Sequence, residues 1–288
     1  LDIYHGLSNE LPFTISQSNA KKIVTIHDLI FLRYPKLYKP VDVFIYKKKF
    51  SFSCQQADVV IAISEQTKRD IIHYLSIPEE KIEVIYQSAA PVFDTLYNVD
   101  ALALTKTTYG LPDKFILNVG TIEARKNTML LVDALPLLPQ EIHLVIVGKP
   151  TEYYDVLMQR INALGIQLRV LFLHNVAYNM LPKIYQLALV FCYPSRFEGF
   201  GIPIIEALKM QVPVVACTGS CLEEAGGPDS LYVHPDDFVS CANAILSIVN
   251  DSSKRTYMIT QGIQYVKQFE SSAIAQNVFN LYQRLLIK

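Results

Sequence analysis

Residues 189–216 read LVFCYPSRFEGFGIPIIEALKMQVPVVA. An apolar run ends near Pro194, a loop with two glycines follows, Ile202-Pro203 opens a helix, and Val212 begins a second apolar run. Strand, loop, helix and strand in that order is the unit of a parallel sheet, because parallel neighbours need a long crossover that is usually helical. Pro203 suits the first helical turn, where its missing N–H leaves no bond unmade. The unit sets Gly199, Phe200, Gly201 and Ile202 at a helix N-terminus on the carboxyl edge of the sheet, where open α/β sheets bind ligands.

Working outward, similar β-branched runs recur at 22–28, 58–64, 81–86, 114–120, 141–148, 168–173, 187–195, 212–218 and 230–235. Helical patterns separate them, near 41–56, 64–76, 127–138, 152–164, 178–187, 203–210 and 236–249. Continuous apolar strands alternating with helices are buried on both faces, so the fold class is α/β with parallel sheets. Ser64 and Asp236 read as helix N-caps. The pattern lapses at 87–97, QSAAPVFDTLY, and a fresh run of βα units starts at Lys114, which divides the chain into domains 1–93 and 94–270. The opening LDIYHG lacks Met and already looks like a core strand. With only three or four strands in the first domain against six in the second, we expect the natural N-terminus to lie upstream.

Composition excludes several function classes. Of the 288 residues 51% are hydrophobic, enough for a large core, and 26 basic against 27 acidic side chains leave a net charge of −1. That removes the electrostatic footprint of a nucleic-acid binder. No apolar run approaches the ~18 residues of a membrane span. The five cysteines show no zinc spacing with histidines and read as free thiols of a reducing cytoplasm, with Cys217 and Cys221 of CTGSC the weak alternative for a metal. No D-x-D or histidine cluster suggests a catalytic metal. One stretch departs from this balance. Between residues 31 and 50, Arg33, Lys36, Lys39, Lys47, Lys48 and Lys49 face only Asp42, with Tyr34, Tyr38, Phe44 and Tyr46 interleaved. It is either a solvated amphipathic helix or a surface that meets anionic lipid or an acidic acceptor.

Three constellations carry chemistry. Glu198 precedes the helix that opens at Ile202 and Glu206 lies in its first turns. Eight helical residues span ~12 Å, but a folded loop lets both carboxylates reach opposite ends of one polyhydroxylated ligand. A carboxylate accepting from two vicinal hydroxyls reads a ribose or hexose diol. By spacing alone, a helix-face charge and a loop charge explain the pair equally well. In NVGTIEARKN, Gly120-Thr121 follow a strand and Arg125-Lys126 precede a helix, so that two cations at the mouth of a sheet can neutralise a diphosphate. In TIHDL, His27 ends a strand, where it either serves a reacting centre or bonds to backbone. EGFGIPII lacks the third glycine of a dinucleotide fingerprint, and GKPT at 148–151 lacks the upstream glycine of a P-loop.

Together, Glu198-Gly199-Phe200-Gly201 with Glu206 (E-x7-E), GTIEARKN (120–127), TIHDL (25–29), AISEQTKRDI (62–71) and VPVVA (212–216) resemble the retaining glycosyltransferases of family 4. The resemblance covers the whole chain and leans toward mannosyltransferase-like enzymes of cell-surface polysaccharide synthesis. It implies a GT-B architecture, two Rossmann-like domains facing across a cleft, with the terminal helix 271–286 crossing back onto the first. It also implies that Glu198 contacts the donor sugar and Glu206 the ribose, that Arg125 and Lys126 bind the diphosphate, and that the N–H groups of Phe200, Gly201 and Ile202 support sugar and phosphate. His27 would face the donor sugar. The family's opening strand and Gly-rich loop have no counterpart here, Met210-Gln211-Val212 replaces the usual glycine, Leu222 stands where proline is usual, and Gln87-Ser88 replaces Asn-Gly.

The resulting expectation is metal-independent transfer of a hexose, mannose first, from a nucleoside diphosphate sugar such as GDP-mannose or a UDP sugar, without a cofactor. The acceptor is a glycan or lipid-linked hydroxyl, and the setting is the cytoplasm, with peripheral contact to the inner membrane face through 31–50. A glycosidase also uses paired carboxylates but needs nothing for a diphosphate. A sugar-nucleotide epimerase of the same fold and a truncated, inactive chain that only binds nucleotide sugar are the alternatives.

Overall fold

The structure is a computed structural model that describes residues 1–287. It separates into two compact units: Leu1–Ser88 with Glu198–Phe200 and the chain from Phe269 onward, and Ala89–Phe197 with Gly201–Gln268. All strand pairings in both are parallel.

The first unit carries β1 (Ile3–Gly6), β2 (Lys21–Ile26), α1 (Ile30–Arg33), α2 (Pro40–Gln56), β3 (Val59–Ala62), α3 (Glu65–Leu75), β4 (Ile82–Val84) and a closing helix, Ser271–Ile287. Its sheet runs β1-β2-β3-β4. Alternate residues of a strand point to opposite faces, and here each face has its own cover. Val24, Ile26, Val60 and Ala62 pack with Phe31, Phe50, Cys54, Ile71 and Leu75 of α1, α2 and α3. Ile23, Ile61 and Ile85 pack with Ile274, Val278, Leu281, Tyr282 and Leu285 of the closing helix, whose i, i+4, i+7 spacing keeps one apolar stripe. Arg284 adds a two-pronged ion pair with Glu83, at 2.7 and 2.6 Å. Ser64 caps α3 by accepting from the Thr67 N–H.

The second unit holds α4 (Val99–Tyr109), β5 (Lys114–Val119), α5 (Met129–Ala134), β6 (Ile142–Val147), α6 (Tyr153–Leu164), β7 (Val170–Leu173), α7 (Leu181–Leu187), β8 (Val190–Tyr193), α8 (Ile202–Lys209), β9 (Val214–Cys217), α9 (Leu222–Gly226), β10 (Leu231–Val233), α10 (Phe238–Val249) and α11 (Ser252–Tyr265). The closing helix is therefore α12. The sheet order is β10-β9-β8-β5-β6-β7. β8 and β9 are buried along their whole length, and β5 and β6 along most of theirs.

Local differences from the sequence reading have local causes. Asp237, not Asp236, caps α10 by accepting from the Ser240 N–H, while Asp236 pairs with Arg196 at 2.5 Å. The helix read at 127–138 starts at Met129, because Asn127 takes a left-handed conformation (φ 55) and donates to the Pro235 carbonyl at 2.8 Å. Besides the short α1 and α9, two longer helices escaped the pattern. The apolar residues of α4 do not repeat with helical period, so the informative signals are its Asn98 cap and left-handed Gly110. In α11 only Met258 and Gly262 are buried.

All five cysteines are free and buried, Cys54 in the first unit and Cys192, Cys217, Cys221 and Cys241 in the second. Burial pushes the Cys54, Cys217 and Cys241 thiols up to about 12. Among the described residues no helix is long and apolar enough to cross a membrane.

Leu281 is 2% exposed at the centre of the α12 contact. Leu281→Ala is expected to cost about 2–4 kcal/mol by loss of transfer energy and residual cavity, whereas Arg284→Ala, at the exposed ion pair, should cost no more than about 1 kcal/mol. Urea unfolding of both variants checks the contrast.

Candidate functional site

Strand order in the second unit reverses at β5 and β8, with Ile116 beside Val190 and Leu117 beside Phe191. Loops leaving the carboxyl ends of two such strands diverge and open a crevice, the place where doubly wound sheets hold ligands. Gly120 and Thr121 follow β5, and the loop that leads to α8 follows β8.

After β5 the backbone is tightly packed. Gly120 has φ 153, and its carbonyl lies only 1.9 Å from where a Cβ on Gly148 would stand, so a side chain at 148 has no room. Thr121 is exposed. A 3-10 turn, Ala124–Lys126, then presents the two cations. The Lys126 stem lies against Gly120, and its ammonium donates to the Tyr193 hydroxyl at 3.0 Å from a position 5.3 Å from the ring centre. Arg125 is engaged differently. Its guanidinium donates to the Phe197 carbonyl at 2.5 Å and to the Glu123 carboxylate at 2.7 Å. The Arg125 carbonyl accepts from the Arg196 N–H at 3.0 Å. Arg125 thus ties the β5 loop to the β8 loop, and Glu123 offsets its charge.

Gly201 is the N-cap of α8, with φ 152 and its missing Cβ 2.9 Å from that of Ala225. Ile202 is the first helical residue and Glu206 follows one turn on, 5% exposed. The Glu206 carboxylate accepts from the hydroxyl of Tyr185, itself fully buried, at 2.9 Å. Burial pushes the Glu206 carboxyl up to about 7, with the Tyr185 bond pulling the other way. Tyr178 also faces this charge, and its own hydroxyl is pushed up, by burial first and Glu206 second. A run of ring contacts, Tyr185 to Phe191 at 5.0 Å and Phe191 to Tyr193 at 5.8 Å, links Glu206 to Lys126. The unit therefore brings Gly120, Lys126 and Glu206 to one sheet edge.

The tip of the β8 loop, Glu198–Phe200, groups with the first unit. There Glu198 is 9% exposed. A Cβ on Gly199 would lie 2.1 Å from the His27 carbonyl, and the Gly199 carbonyl has the Ser64 and Thr67 hydroxyls 2.7 and 3.2 Å away. Phe200 stacks on Tyr86 at 5.2 Å and meets Phe269 edge-on at 5.4 Å. His27 Nε2 lies 2.8 Å from the Leu7 carbonyl, which can only accept, so Nε2 carries the proton and Nδ1 accepts from the Gln87 amide at 3.1 Å. Both ring nitrogens of His27 are therefore occupied. Sequence reasoning missed Tyr185, Tyr193, Gln87 and Glu123 as site neighbours. Tyr185 had a readable signal, since a tyrosine inside a buried apolar segment must find a partner for its hydroxyl.

A profile of the family described as glycosyl transferases group 1 matches residues 106–265, more than half of the chain, and one described as glycosyltransferase family 4 matches residues 3–88. The chain is a group 1 glycosyltransferase. The group 1 segment contains Gly120, Arg125, Lys126, Tyr185, Glu198 and Glu206. Two similar proteins are the O-antigen chain mannosyltransferase B of Escherichia coli, 28% identical across 98% of this chain and 74% of that one, and the O-antigen chain mannosyltransferase RfbU of Salmonella typhimurium, 30% identical across 89% and 68%. Among solved structures, Anabaena Alr3699/HepE in complex with UDP and glucose superposes with a TM-score of 0.81 at 21% identity, across 92% of this glycosyltransferase and 72% of that chain. Sucrose-phosphate synthase of Thermosynechococcus elongatus gives 0.79 at 25%, across 94% and 69%. The fold is thus α/β with two Rossmann-like parallel sheets of the GT-B class.

A carboxyl whose folded pKa lies above its unfolded value holds its proton more tightly in the native state. For Glu206, stability is full in acid and is lost as pH rises from about 4.5 to about 7. Glu206→Gln should match the parent at pH 5 and exceed it at pH 8, by roughly 2–4 °C in Tm for each kcal/mol of relief. Tyr185→Phe removes the hydroxyl that favours the ionised form, so carbon NMR of the Glu206 carboxyl should show its midpoint moving up by about one pH unit. An unmoved midpoint would mean that the Tyr185 bond does not govern this carboxylate.

Proposed function

We propose that this glycosyltransferase moves a hexose, mannose in the first instance, from a nucleoside diphosphate sugar to a hydroxyl of a glycan or lipid-linked acceptor, in cell-surface polysaccharide or glycolipid synthesis. The E. coli and Salmonella relatives, both O-antigen chain mannosyltransferases, support the sugar and the setting. HepE, with UDP and glucose bound, supports a nucleotide-sugar donor, GDP-mannose or a UDP sugar. The reaction uses no cofactor and no metal, and the protein works in the cytoplasm with peripheral contact to the inner membrane face through 31–50. The observation that carries the reading is the placement of a buried carboxylate, Glu206, on the helix after β8 and of a cation, Lys126, on the loop after β5, the two strands at which the second sheet reverses its order.

In this reading Glu206 accepts the two ribose hydroxyls in place of solvent, which its burial already excludes. Lys126 meets the diphosphate from the β5 side, and Arg125 joins it by exchanging Glu123 for phosphate. Gly120 and Thr121 let the backbone approach the donor, while Phe200, Gly201 and Ile202 offer N–H groups at the head of α8. As the glycosidic bond lengthens, negative charge grows on the diphosphate and oxocarbenium character on the sugar. Fixed donors that meet the growing charge are worth about 3–4 kcal/mol each in the barrier. Glu198 orients the sugar through its hydroxyls rather than attacking it, and His27, held by Leu7 and Gln87, faces the sugar. The acceptor then attacks on the face that the diphosphate leaves, and the anomeric configuration is retained.

Calorimetric titration with GDP-mannose and UDP sugars tests the donor site, and Glu206→Ala and Lys126→Ala should each weaken binding by about 10- to 100-fold. If both bind as the parent does, the assignment is wrong. Transfer from a donor of known anomeric configuration, followed by NMR of the product, should give the same configuration, and an inverted product overturns retention. Tight donor binding with no transfer to any acceptor would instead identify a chain that only binds nucleotide sugar.

A further inference from the structure

Helix α2 is apolar on two sides. Val43, Phe50 and Cys54 turn into the core of the first unit. On the other side Val41, Phe44 and Ile45, at i, i+3 and i+4, are 59%, 58% and 42% exposed. The turn before the helix adds Leu37 at 53%, and beyond Lys48 the face ends at Phe52, which is half-buried against the core and meets Phe13, 64% exposed, at 4.9 Å. A helix that only covers a core needs one apolar stripe, and a second in water marks a surface that meets something apolar.

The same segment concentrates positive charge. From 31 to 56 there are six basic side chains against Asp42 alone, in a chain whose net charge is −1. Arg33 is paired with Asp70 at 2.6 Å and Lys49 with Glu10 at 3.2 Å. Lys36, Lys39, Lys47 and Lys48 have no carboxylate partner among the described residues, and Lys48 lies 4.5 Å over the ring of Phe44. Phe44 and Phe52, with Lys47, Lys48, Ser51 and Gln55, line a groove of about 470 Å³. Its cations, hydroxyl and amide suit a phosphate, and its aromatic walls suit the acyl chains beneath one.

We propose that this face of α2, with the turn that leads into it, docks on a bilayer surface rich in anionic phospholipid, with Val41, Phe44 and Ile45 entering the interface and the lysines meeting headgroup phosphates. A bilayer fits better than an acidic protein because the apolar side chains project from a convex helix, flanked by lysines with long flexible stems. A fluid surface accommodates that shape, and a rigid partner would need a matching concavity. The inference deepens the peripheral contact in the reading above but does not depend on the donor chemistry.

Co-sedimentation of the full chain with phosphatidylcholine vesicles, with and without phosphatidylglycerol, is the test. Binding is expected to the anionic vesicles only and to weaken by about tenfold or more as salt rises, because surface attraction is screened within a Debye length. Phe44→Ser with Ile45→Ser, and separately Lys47→Glu with Lys48→Glu, should each reduce it by at least about tenfold. Calorimetric binding of nucleotide sugar by the same preparations should be unchanged in both variants, which reports an intact fold. A parent that ignores anionic vesicles at low salt overturns the proposal, as do variants that bind like the parent. Equal binding to polyglutamate, insensitive to the Phe44 and Ile45 changes, overturns it in favour of an acidic protein. Vesicle binding without any nucleotide-sugar binding would uphold this surface and sink the functional reading, and the reverse result would do the opposite.

Discussion

The parallel pairing of β5 with β8 is the contact on which the second unit is organised. It spans two register positions, Ile116 with Val190 and Leu117 with Phe191. From it the sheet grows outward in both directions, through β6 and β7 on one side and β9 and β10 on the other. Because strands laid down on either side send their loops apart, the crevice follows from the topology and needs no dedicated scaffolding. Arg125, bonded to the Phe197 carbonyl, then fixes the distance between the two loops that leave this pair. Its guanidinium is thereby a structural tie.

The buried carboxylate shows what the site costs. A charged group 5% exposed, with one tyrosine hydroxyl as its donor, is poorly solvated, and its pKa of about 7 records that deficit. A chain optimised for stability alone would put an apolar residue in that turn of α8, where Ile204, Ile205, Ala207 and Leu208 are all buried around it. Lost stability at a polar group with unmet bonding capacity is the usual mark of a position kept for a ligand.

Strand positions were legible because each is a short apolar run with polar ends, and all nine runs contain a strand, trimmed where the ladder stops short of the polar residues. Sheet order was not, since nothing local to β8 says that β5 will be its neighbour. Helices were legible where an apolar stripe repeats, as in α3 and α12, and lost where none does, as in α4. The candidate residues were found by type and spacing, but their partners depend on tertiary placement. That Glu123 neutralises Arg125 could have been read from two residues of sequence. That Gln87 holds His27, sixty residues away, could not.

The buried thiols have a practical use of a different kind. None of the five is open to a reagent in the folded chain, and each becomes so only when its surroundings open. Cys54 lies in the first unit and the other four in the second, so mapping which sulfur is alkylated first would clock the opening of each unit separately. The chain carries its own set of unfolding gauges, with no label to be engineered into it.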